Sequence, residues 1–384
     1  MVEYAASTKR SVVLFVSHDA SRTGAPLCLG EFLQSIISQE RSWEPVVFIT
    51  GEGPLIGEWR ASGLQIIAAQ KRLQGTILNR IVARIACVFV YLRLLQRLRP
   101  RVIYSNTIRN AVEVVLGRVS GARTLVHVHE GAQMMRRQLW SLRLSSWFTS
   151  RYICVSTYSA EALSTLVHKK AIVVHNGVDS DCIETLNRSQ RNSRVWRLAM
   201  AGGIQENKGQ HIAIEAVAKL IGEIPAQLLI YGEVEDVAYR HYLDVLVERL
   251  DVKAHVEFRG VVASSSEIYD GTDIVVVASF DESFSRVLLE AFRYGCPVVA
   301  SAVGGIMEII RNEENGLLVP PGDVEALSGA LRRLMNDSSL ADKLRRTALS
   351  DVKTRFRLRD TITLMRSEIE RLLLCKASPG SELP

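Results

Sequence analysis

Two acidic residues stand eight positions apart in the segment DESFSRVLLEAF, at Glu282 and Glu290. If both lay on one helix, their carboxylates would be separated by roughly 12 Å along the axis, because each residue adds about 1.5 Å. The paired carboxylates of glycosidases lie only about 5 to 9.5 Å apart, so a hydrolase pair is disfavoured. The spacing instead favours a long ligand whose two ends are bound by separate acids.

The residues between the two acids predict an anion-binding site. They follow the apolar strand DIVVVAS (273–279) and begin a helix, whose first amide groups have no partner within the helix. These amides and the helix dipole together favour a phosphate group. The segment predicted to contact it consists of Ser283, Phe284, Ser285, Arg286 and Val287.

A nucleotide diphosphate sugar has the order of chemical groups that this segment requires. Carboxylates accept hydrogen bonds from sugar hydroxyls, so Glu282 is predicted to hold the donor sugar and Glu290 the ribose, with the diphosphate between them. The alternative for the pair is an ordinary surface glutamate and an ordinary helix glutamate.

Lys208 is a candidate for neutralising the phosphates. It follows the strand WRLAMAG (196–202) and a glycine pair that includes Gly203, and it stands where a helix begins. Its ammonium group could therefore offset the charge of the leaving diphosphate. A solvated lysine at the start of a helix is the alternative. Val261, after the turn at Arg259 and Gly260, is predicted to contact the base through backbone groups.

Short β-branched runs alternate with helical patterns along the chain, which is typical of parallel sheets covered by helices. The polar stretch 180–194 interrupts this pattern. We therefore predict an α/β protein of two doubly wound, Rossmann-like domains that face each other across a cleft. Their predicted limits are 1–182 and 195–360, with a linker at 183–194, a C-terminal helix at 361–376 and a disordered tail at 377–384. Ligands of such sheets bind outside the carboxyl ends of the strands, so the chemistry is expected in strand-to-helix turns.

The segment from Glu282 to Glu290 resembles the E-x7-E signature of glycosyltransferase family 4, whose members are retaining enzymes with the GT-B fold. Further segments extend the resemblance over nearly the whole chain. They are SHDASRTGAPLCL (17–29), HVHE (127–130), HNGVD (175–179), AGGIQENKGQ (201–210), GCPVVASAVGGIMEII (295–310) and NGLLVPPGD (315–323). The resemblance implies the GT-B fold, a C-terminal helix that packs back on the N-terminal domain, and transfer of a sugar from a nucleotide donor.

The resemblance also implies roles for residues of the N-terminal domain. Gly24 matches the family's glycine turn after the first strand, where a backbone without Cβ can approach the reacting centre closely. His129 matches a histidine near the donor sugar and is expected to hydrogen-bond a sugar hydroxyl, with Glu130 as a neighbouring candidate on the acceptor side. His127 and His129 are predicted to point to opposite faces of their strand, so that at most one faces the cleft. A satisfied core histidine is the alternative for His129.

One departure from the family concerns Gly203. Many relatives have an arginine at this position, which gives them two cations on the diphosphate. Arg286, beside the start of the helix, could supply the missing charge; otherwise donor binding should be weaker.

No metal ion or other cofactor is predicted. Asp179, Ser180 and Asp181 have the formal D-x-D spacing of a metal site, but the resemblance of HNGVD accounts for Asp179 without a metal, and no further ligands cluster there. The six cysteines are scattered singly without a C-x-x-C pair, which suggests neither a zinc site nor a disulfide framework. A reducing cytoplasm fits this pattern best.

The apolar segments predict no membrane span. The first residues, MVEYAASTKR, lack the apolar core of a secretory signal, and the run Ile81–Leu95 is interrupted by Arg84 and Arg93. We therefore expect a cytoplasmic protein, with peripheral contact at the inner face of the membrane as an option.

The segment 131–151 is the predicted point of that contact. It mixes Met134, Trp140, Trp147 and Phe148 with Arg136, Arg137 and Arg143. As a helix it could lie on an anionic membrane and reach a lipid-linked acceptor, or it could bury its apolar side in the core with the arginines in water. No nucleic-acid recognition motif accompanies these charges, so no nucleic-acid partner is expected.

These features predict a metal-independent, retaining hexosyltransferase that moves a sugar from a UDP or GDP donor to a glycan or lipid-linked acceptor of cell-surface polysaccharide or glycolipid synthesis. Lys208 and the helix amides would stabilise the leaving diphosphate, which could itself accept the acceptor's proton. A catalytically silent scaffold that binds nucleotide sugar is one alternative. A sugar-nucleotide epimerase is another, although it would need acid and base groups that the motifs do not supply. The sugar, the base, the acceptor and the linkage stay open.

Overall fold

The computed structural model describes residues 10–69, 77–180 and 195–374. The chain divides into two units. Unit 1 contains the described residues as far as Val155, then Ser159–Val174 and those from Ile362 onward. Unit 2 contains Ser156–Tyr158 and the described part of His175–Thr361. The predicted linker 183–194 and the predicted tail 377–384 lie outside the described residues.

The first part of the chain, up to residue 174, alternates strands and helices. The strands are β1 (Ser11–Ser17), β2 (Trp43–Ile49), β3 (Gln65–Ala68), β4 (Val102–Ser105), β5 (Arg123–Val128), β6 (Arg151–Cys154) and β7 (Ile172–Val173). The helices are α1 (Gly24–Ile37), α2 (Leu55–Ala61), α3 (Ile77–Leu98), α4 (Ala111–Val119), α5 (Ala132–Arg137), α6 (Leu139–Ser146) and α7 (Thr157–Val167). All strand pairs are parallel, in the order β3-β2-β1-β4-β5-β6-β7.

The second part repeats the alternation. Its strands are β8 (Trp196–Ala201), β9 (Ala226–Tyr231), β10 (Val256–Gly260), β11 (Ile274–Val277), β12 (Val298–Ser301) and β13 (Leu317–Val319). Its helices are α8 (Gln210–Ala218), α9 (Val237–Arg249), α10 (Ser265–Tyr269), α11 (Arg286–Arg293), α12 (Ile306–Ile309), α13 (Val324–Asn336) and α14 (Ser338–Thr354), and α15 (Leu358–Leu374) follows. The strands are again parallel, in the order β10-β9-β8-β11-β12-β13.

Burial on both faces explains why the central strands are apolar throughout. In β8, Leu198 and Met200 face a large cluster with α8 and α9, whereas Ala199 faces a second cluster with Leu229 and Tyr231. A strand between two layers of helices has no solvent face and therefore carries no polar alternation. The predicted pair of doubly wound, Rossmann-like parallel sheets is confirmed.

The predicted packing of the C-terminal helix is also confirmed, because α15 joins unit 1 from Ile362 onward. Glu368 accepts a hydrogen bond from Arg151 at 3.2 Å. Arg366 donates to the side chain of Gln39 at 3.0 Å and to the Glu40 carbonyl at 2.8 Å.

Three local features differ from the sequence-based expectations. The edge strand β3 was not expected, since it is only four residues long and no residue in it is buried. The segment 131–151 does not form one helix, because Gln138 (φ −108°, ψ 23°) ends α5 before α6 begins. HNGVD (175–179), placed with the N-terminal domain, groups with unit 2, where the Val178 amide donates to the Phe356 carbonyl at 2.9 Å.

A close backbone contact holds the loop that follows β1. The Leu55 amide donates to the Ala20 carbonyl at 3.0 Å, and a Cβ at Gly53 would lie 2.1 Å from that carbonyl's carbon and oxygen. A side chain at position 53 would therefore force the two loops apart. Gly57, four residues on within α2, has nothing within 4 Å of a Cβ and serves as a matched control.

We expect Gly53→Ala to lower the free energy of unfolding by about 1–3 kcal/mol, because the added methyl group collides with backbone that cannot move aside. Gly57→Ala should leave it unchanged or raise it by about 0.5–1 kcal/mol, because alanine is the better helix former. Thermal unfolding followed by circular dichroism compares the two variants. Equal Tm values for both would show that the loop contact is not tight.

Candidate active site

The order in which strands are added to the sheet of unit 2 reverses between β8 and β11. Strands β9 and β10 extend the sheet on one side of β8, and β12 and β13 extend it on the other side of β11. In doubly wound sheets, ligands bind outside the carboxyl ends of the strands at such a switch point. The loops after β8 and β11, which carry Lys208 and Glu282, meet at this point.

Lys208 and Glu282 form an ion pair, although 74 residues separate them in the chain. The Lys208 Nζ lies 2.6 Å from Glu282 Oε2, and the Ser279 hydroxyl donates to the same oxygen at 3.2 Å. Burial of the ammonium group lowers its pKa, but the adjacent Glu282, with smaller contributions from Glu235 and Asp281, outweighs this and raises the pKa of Lys208 above its ordinary value. The lysine therefore carries a full positive charge among carboxylates.

Two loop contacts place the lysine beside the glutamate. Lys208 ends a short 3-10 helix (Glu206–Lys208), and Gly209 then takes a left-handed conformation with φ +70°. A Cβ at Gly209 would lie 2.1 Å from the Ala278 carbonyl oxygen at the end of β11, so only glycine fits. The Phe280 amide donates to the Asn207 carbonyl at 2.9 Å and ties the two loops together.

The space beside Gly203 is occupied by the carboxylate of Glu235. A Cβ at Gly203 would lie 1.9 Å from Oε1 of Glu235, and Gln205 donates to Oε2 of the same carboxylate at 2.8 Å. No side chain larger than hydrogen fits at position 203 unless Glu235 moves. Sequence reasoning noticed the missing arginine but not the carboxylate that takes its room, because Glu235 follows a different strand.

The start of α11 lies next to Glu282 in the chain. The helix begins at Arg286, and the Ser285 side chain before it makes no capping hydrogen bond within the described structure. Phe284 is buried, and its ring stacks on His175 with 5.2 Å between centroids. That the amides at this helix start bind a phosphate stays a prediction.

The glycine pair Gly304 and Gly305 packs against the loop that contains Glu282 and Ser283. Cβ atoms at these positions would lie 2.2 Å from the Glu282 carbonyl oxygen and 1.9 Å from the Ser283 carbonyl oxygen. The Gly305 amide also donates to the Glu282 carbonyl at 2.9 Å. The pair was visible in the sequence, but its role was not predicted because the residues it contacts, Glu282 and Ser283, lie 22 positions earlier.

Glu282 and Glu290 do not share a helix, so the conditional separation of roughly 12 Å along one axis does not apply. Glu282 lies in the loop four residues before α11, and Glu290 lies within α11. The Glu290 carboxylate accepts hydrogen bonds from the Tyr269 hydroxyl at 3.2 Å, the Ser265 hydroxyl at 3.4 Å and Arg286 at 3.3 Å. The guanidinium of Arg286 is therefore engaged with Glu290 within its own helix, and neither Tyr269 nor Ser265 was predicted.

The other two candidate backbone positions lie where strands end or helices begin. Val261 follows β10 directly after Gly260 (φ +68°), and its side chain is exposed. Gly24 is the first residue of α1 and is exposed.

The prediction that His127 and His129 point to opposite faces is wrong. Residues two apart along a strand lie on the same face, and the two ring centroids are only 4.0 Å apart. His127 is fully buried, its Nδ1 lies 2.6 Å from the Tyr104 hydroxyl, and burial lowers its pKa to about 3. His129 follows the last residue of β5 and is only partly buried, so it is the member of the pair nearer the carboxyl edge of the sheet.

Glu130 organises the loop after β4. Its carboxylate accepts hydrogen bonds from the Thr107 hydroxyl, the Ile108 amide at 3.2 Å and the His129 amide at 3.0 Å. Burial raises the pKa of Glu130 above its ordinary value. The side chain thus holds backbone in place, and in this structure its oxygens are directed at the protein's own groups.

The formal D-x-D segment is only partly visible. Asp179 is described, whereas Asp181 lies outside the described residues. Among residues 10–69, 77–180 and 195–374, no group of three or more His, Cys, Asp or Glu side chains is arranged to hold a metal ion. No helix in the same part of the chain is long and apolar enough to cross a membrane.

Two family models match consecutive parts of the chain. The model of glycosyltransferase family 4 matches residues 39–181, and the model of group 1 glycosyl transferases matches residues 183–351. The second match contains all the candidate residues of unit 2, including Lys208, Glu282 and Glu290.

Curated relatives carry names from the same family. An uncharacterized glycosyltransferase of Methanocaldococcus jannaschii is 30% identical over 229 residues, which is 56% of this chain and 58% of that protein. The lipopolysaccharide core biosynthesis glycosyltransferase LpsE of Rhizobium meliloti is 29% identical over 241 residues, or 62% of this chain and 69% of LpsE. The chain thus spans less than two thirds of the length of the first of these relatives.

Solved structures of glycosyltransferases share the fold over almost the whole chain. HepE of Anabaena in complex with UDP-glucose superimposes with a TM-score of 0.81 at 21% identity, covering 94% of this chain and 99% of HepE. WaaG, a glycosyltransferase involved in lipopolysaccharide biosynthesis, gives a TM-score of 0.71 at 16% identity, covering 93% of this chain and 99% of WaaG. The two Rossmann-like units are those of the GT-B fold, and with both family models matched in sequence the chain belongs to the family 4, group 1 glycosyltransferases.

Proposed function

We propose that this protein is a retaining, metal-independent hexosyltransferase that transfers a sugar from a nucleotide diphosphate donor to a glycan or lipid-linked acceptor. The proposed setting is the synthesis of cell-surface polysaccharide or glycolipid, in the cytoplasm at the inner face of the membrane. The observation that carries the proposal is the ion pair between Lys208 and Glu282 at the switch point of unit 2.

This ion pair is suited to exchange partners when a donor binds. Only a quarter of the Lys208 side chain and 14% of the Glu282 side chain are exposed, so each charge needs a partner at all times. A diphosphate would give Lys208 a stronger anion, and the hydroxyls of the donor sugar would give Glu282 neutral donors. Both charges are thereby held ready for a ligand that has an anionic part next to a hydroxyl-rich part.

Glu290 is proposed to hold the other end of the donor. Its neighbours Tyr269 and Ser265 already present hydroxyl groups to the carboxylate, at 3.2 and 3.4 Å. Ribose hydroxyls can occupy the same acceptor positions. Backbone groups near Val261 would then contact the base, so that sugar, diphosphate, ribose and base would follow one another in this order along the ends of the strands.

In the proposed reaction the C1–O bond between the sugar and the diphosphate breaks, and the acceptor hydroxyl bonds to the same face of C1. The electron pair of the broken bond goes to the phosphate oxygen, where Lys208 and the amides at the start of α11 stabilise the charge. The departing phosphate accepts the proton of the acceptor hydroxyl. His129 is proposed to hydrogen-bond a sugar hydroxyl, since it directly follows β5 at the carboxyl edge of the unit 1 sheet.

UDP is the first nucleotide to test. HepE of Anabaena, which shares the fold, was solved with UDP-glucose, and LpsE of Rhizobium meliloti is named for lipopolysaccharide core biosynthesis. These names support a nucleotide-sugar donor and a cell-surface product, and the base and the sugar are left to experiment.

A catalytically silent, nucleotide-sugar-binding scaffold is the second candidate. The carboxylate of Glu235 beside Gly203 favours it, because an anion near the proposed diphosphate opposes the negative charge that develops on the leaving group during transfer. Release of free nucleotide from a donor in the presence of acceptor separates the two functions, since a scaffold binds the donor without turnover.

We expect Glu290→Ala to weaken UDP binding and Glu282→Gln mainly to slow transfer. Each change removes a charged hydrogen-bond acceptor, which is worth about 1.5–3 kcal/mol and hence roughly a 10- to 100-fold effect. A thermal-shift titration with UDP, GDP and dTDP measures binding, and nucleotide release measures transfer. Glu248→Ala, at an exposed position of α9, is the control. Wild-type behaviour of both site variants would refute the assignment.

Lys208→Met should lower turnover by about 10²–10³-fold, because it removes a preorganised positive charge that stabilises the leaving group. Steady-state nucleotide release compares this variant with Lys253→Met, which changes an exposed lysine of the same unit. A full rate for Lys208→Met, with a folded protein and unchanged UDP binding, contradicts the proposed role.

A further inference from the structure

Helix α3 of unit 1 presents large apolar side chains to solvent. Ile81, Ile85 and Phe89 are spaced four residues apart and are 50%, 52% and 63% exposed. Val82 and Val90 are exposed beside them. Because residues four apart lie on the same face of a helix, these side chains form one continuous apolar surface over more than two turns. Surface hydrophobic residues usually occur singly, and a contiguous patch indicates a binding surface.

The opposite face of α3 fixes the helix on the sheet. Cys87, Tyr91, Leu94 and Leu95 are buried in a cluster with residues of β1 and β2. The Tyr91 hydroxyl donates to the Glu113 carbonyl at 3.0 Å, and Arg84 pairs with the Glu113 carboxylate at 2.9 Å. The apolar surface is therefore held outward by the fold.

Arginines continue the row that Ile81, Ile85 and Phe89 form along α3. Helix α3 contains no acidic residue, and the four-residue spacing runs on from Phe89 to two arginines. Exposed arginines at this end of unit 1 are Arg93, Arg97, Arg99, Arg101 and Arg118. None of the five forms an ion pair with another described residue. Their charge is thus available to an anionic partner.

A cavity lies where the apolar and basic parts meet. It has a volume of about 560 Å³ and is bounded by Arg99, Arg101 and Arg123 on its polar side. Leu92, Leu95 and Leu372 form part of the apolar wall of the cavity. Guanidinium groups next to an apolar wall match the junction between a phosphate headgroup and its acyl chains.

We propose that α3 and this cavity form the surface by which unit 1 binds an anionic lipid membrane. The apolar side chains would enter the interface while the arginines contact lipid phosphates, as in amphipathic helices that lie in the membrane plane. The helix includes Arg80, Arg84, Arg93 and Arg97 and is not apolar enough to cross the bilayer. The inference goes beyond the donor chemistry of unit 2 and gives the proposed membrane contact a location of its own.

The surface differs from the one expected at 131–151. There the exposed Trp140, Leu144 and Trp147 are carried by the short helix α6 and the residue after it, and the segment is broken at Gln138. On α3 the exposed apolar residues follow one another along a single helix of 22 residues. The surface on α3 is therefore the more continuous of the two, and it matches the flat surface of a membrane better than the segment 131–151 does.

Sedimentation with lipid vesicles tests the proposal. The full chain is mixed with vesicles of phosphatidylcholine alone or of phosphatidylcholine with phosphatidylglycerol. Wild-type protein should bind the anionic vesicles and bind the neutral ones less. Arg93→Gln with Arg97→Gln should reduce partitioning by about 30-fold, because each basic residue near the surface contributes about 1 kcal/mol. Ile85→Ser with Phe89→Ser should reduce binding to anionic vesicles by at least as much.

Trp140→Ser with Trp147→Ser is the matched control, since it changes two exposed apolar residues of the other surface, and its binding should equal that of wild type. Loss of binding in this control alone, or wild-type binding by both α3 variants, would overturn the proposal. A second copy of the chain is the other partner that could cover this surface, and light scattering tests for it. If Ile85→Ser with Phe89→Ser turns a dimer into a monomer without changing vesicle binding, the proposal fails. The UDP-induced thermal shift reports separately on folding and on the donor site.

Discussion

The proposed donor site depends on one ion pair between two loops of a parallel sheet. Lys208 and Glu282 meet only because β8 and β11 are neighbours at the point where the strand order reverses. Separating two largely buried charges without new partners costs several kcal/mol, so the pair can open only to a ligand that satisfies both. A diphosphate joined to a sugar does so, and this requirement links the topology of the sheet to the proposed chemistry.

Close packing of backbone keeps that pair in place. Gly209 fits against the end of β11, and Gly304 and Gly305 fit against the loop that carries Glu282. Each contact leaves no room for Cβ, so the loops are held by backbone rather than by flexible side chains. A rigid loop is needed because misplacement of a charged group by about 1 Å can cost much of its effect on the rate. Unit 1 adds a different surface, where apolar and basic residues of α3 point away from its own core.

Sequence patterns predicted what depends on neighbours along the chain. Apolar runs identified the strands because buried parallel strands lack polar alternation, and the positions of Lys208, Glu282 and Glu290 after strands or within a helix followed from that. What depends on distant segments was not predictable. The carboxylate of Glu235 fills the space beside Gly203 from another loop, and Tyr269 reaches Glu290 from α10. The faces of His127 and His129 were mispredicted although the period of a strand suffices to assign them.

The most direct measurement is a crystal structure with bound UDP. We predict that its diphosphate lies over the start of α11, with a phosphate oxygen in hydrogen-bond contact with the Lys208 ammonium group and the ribose hydroxyls at Glu290. A diphosphate bound elsewhere, with the ion pair between Lys208 and Glu282 left intact, would contradict the account.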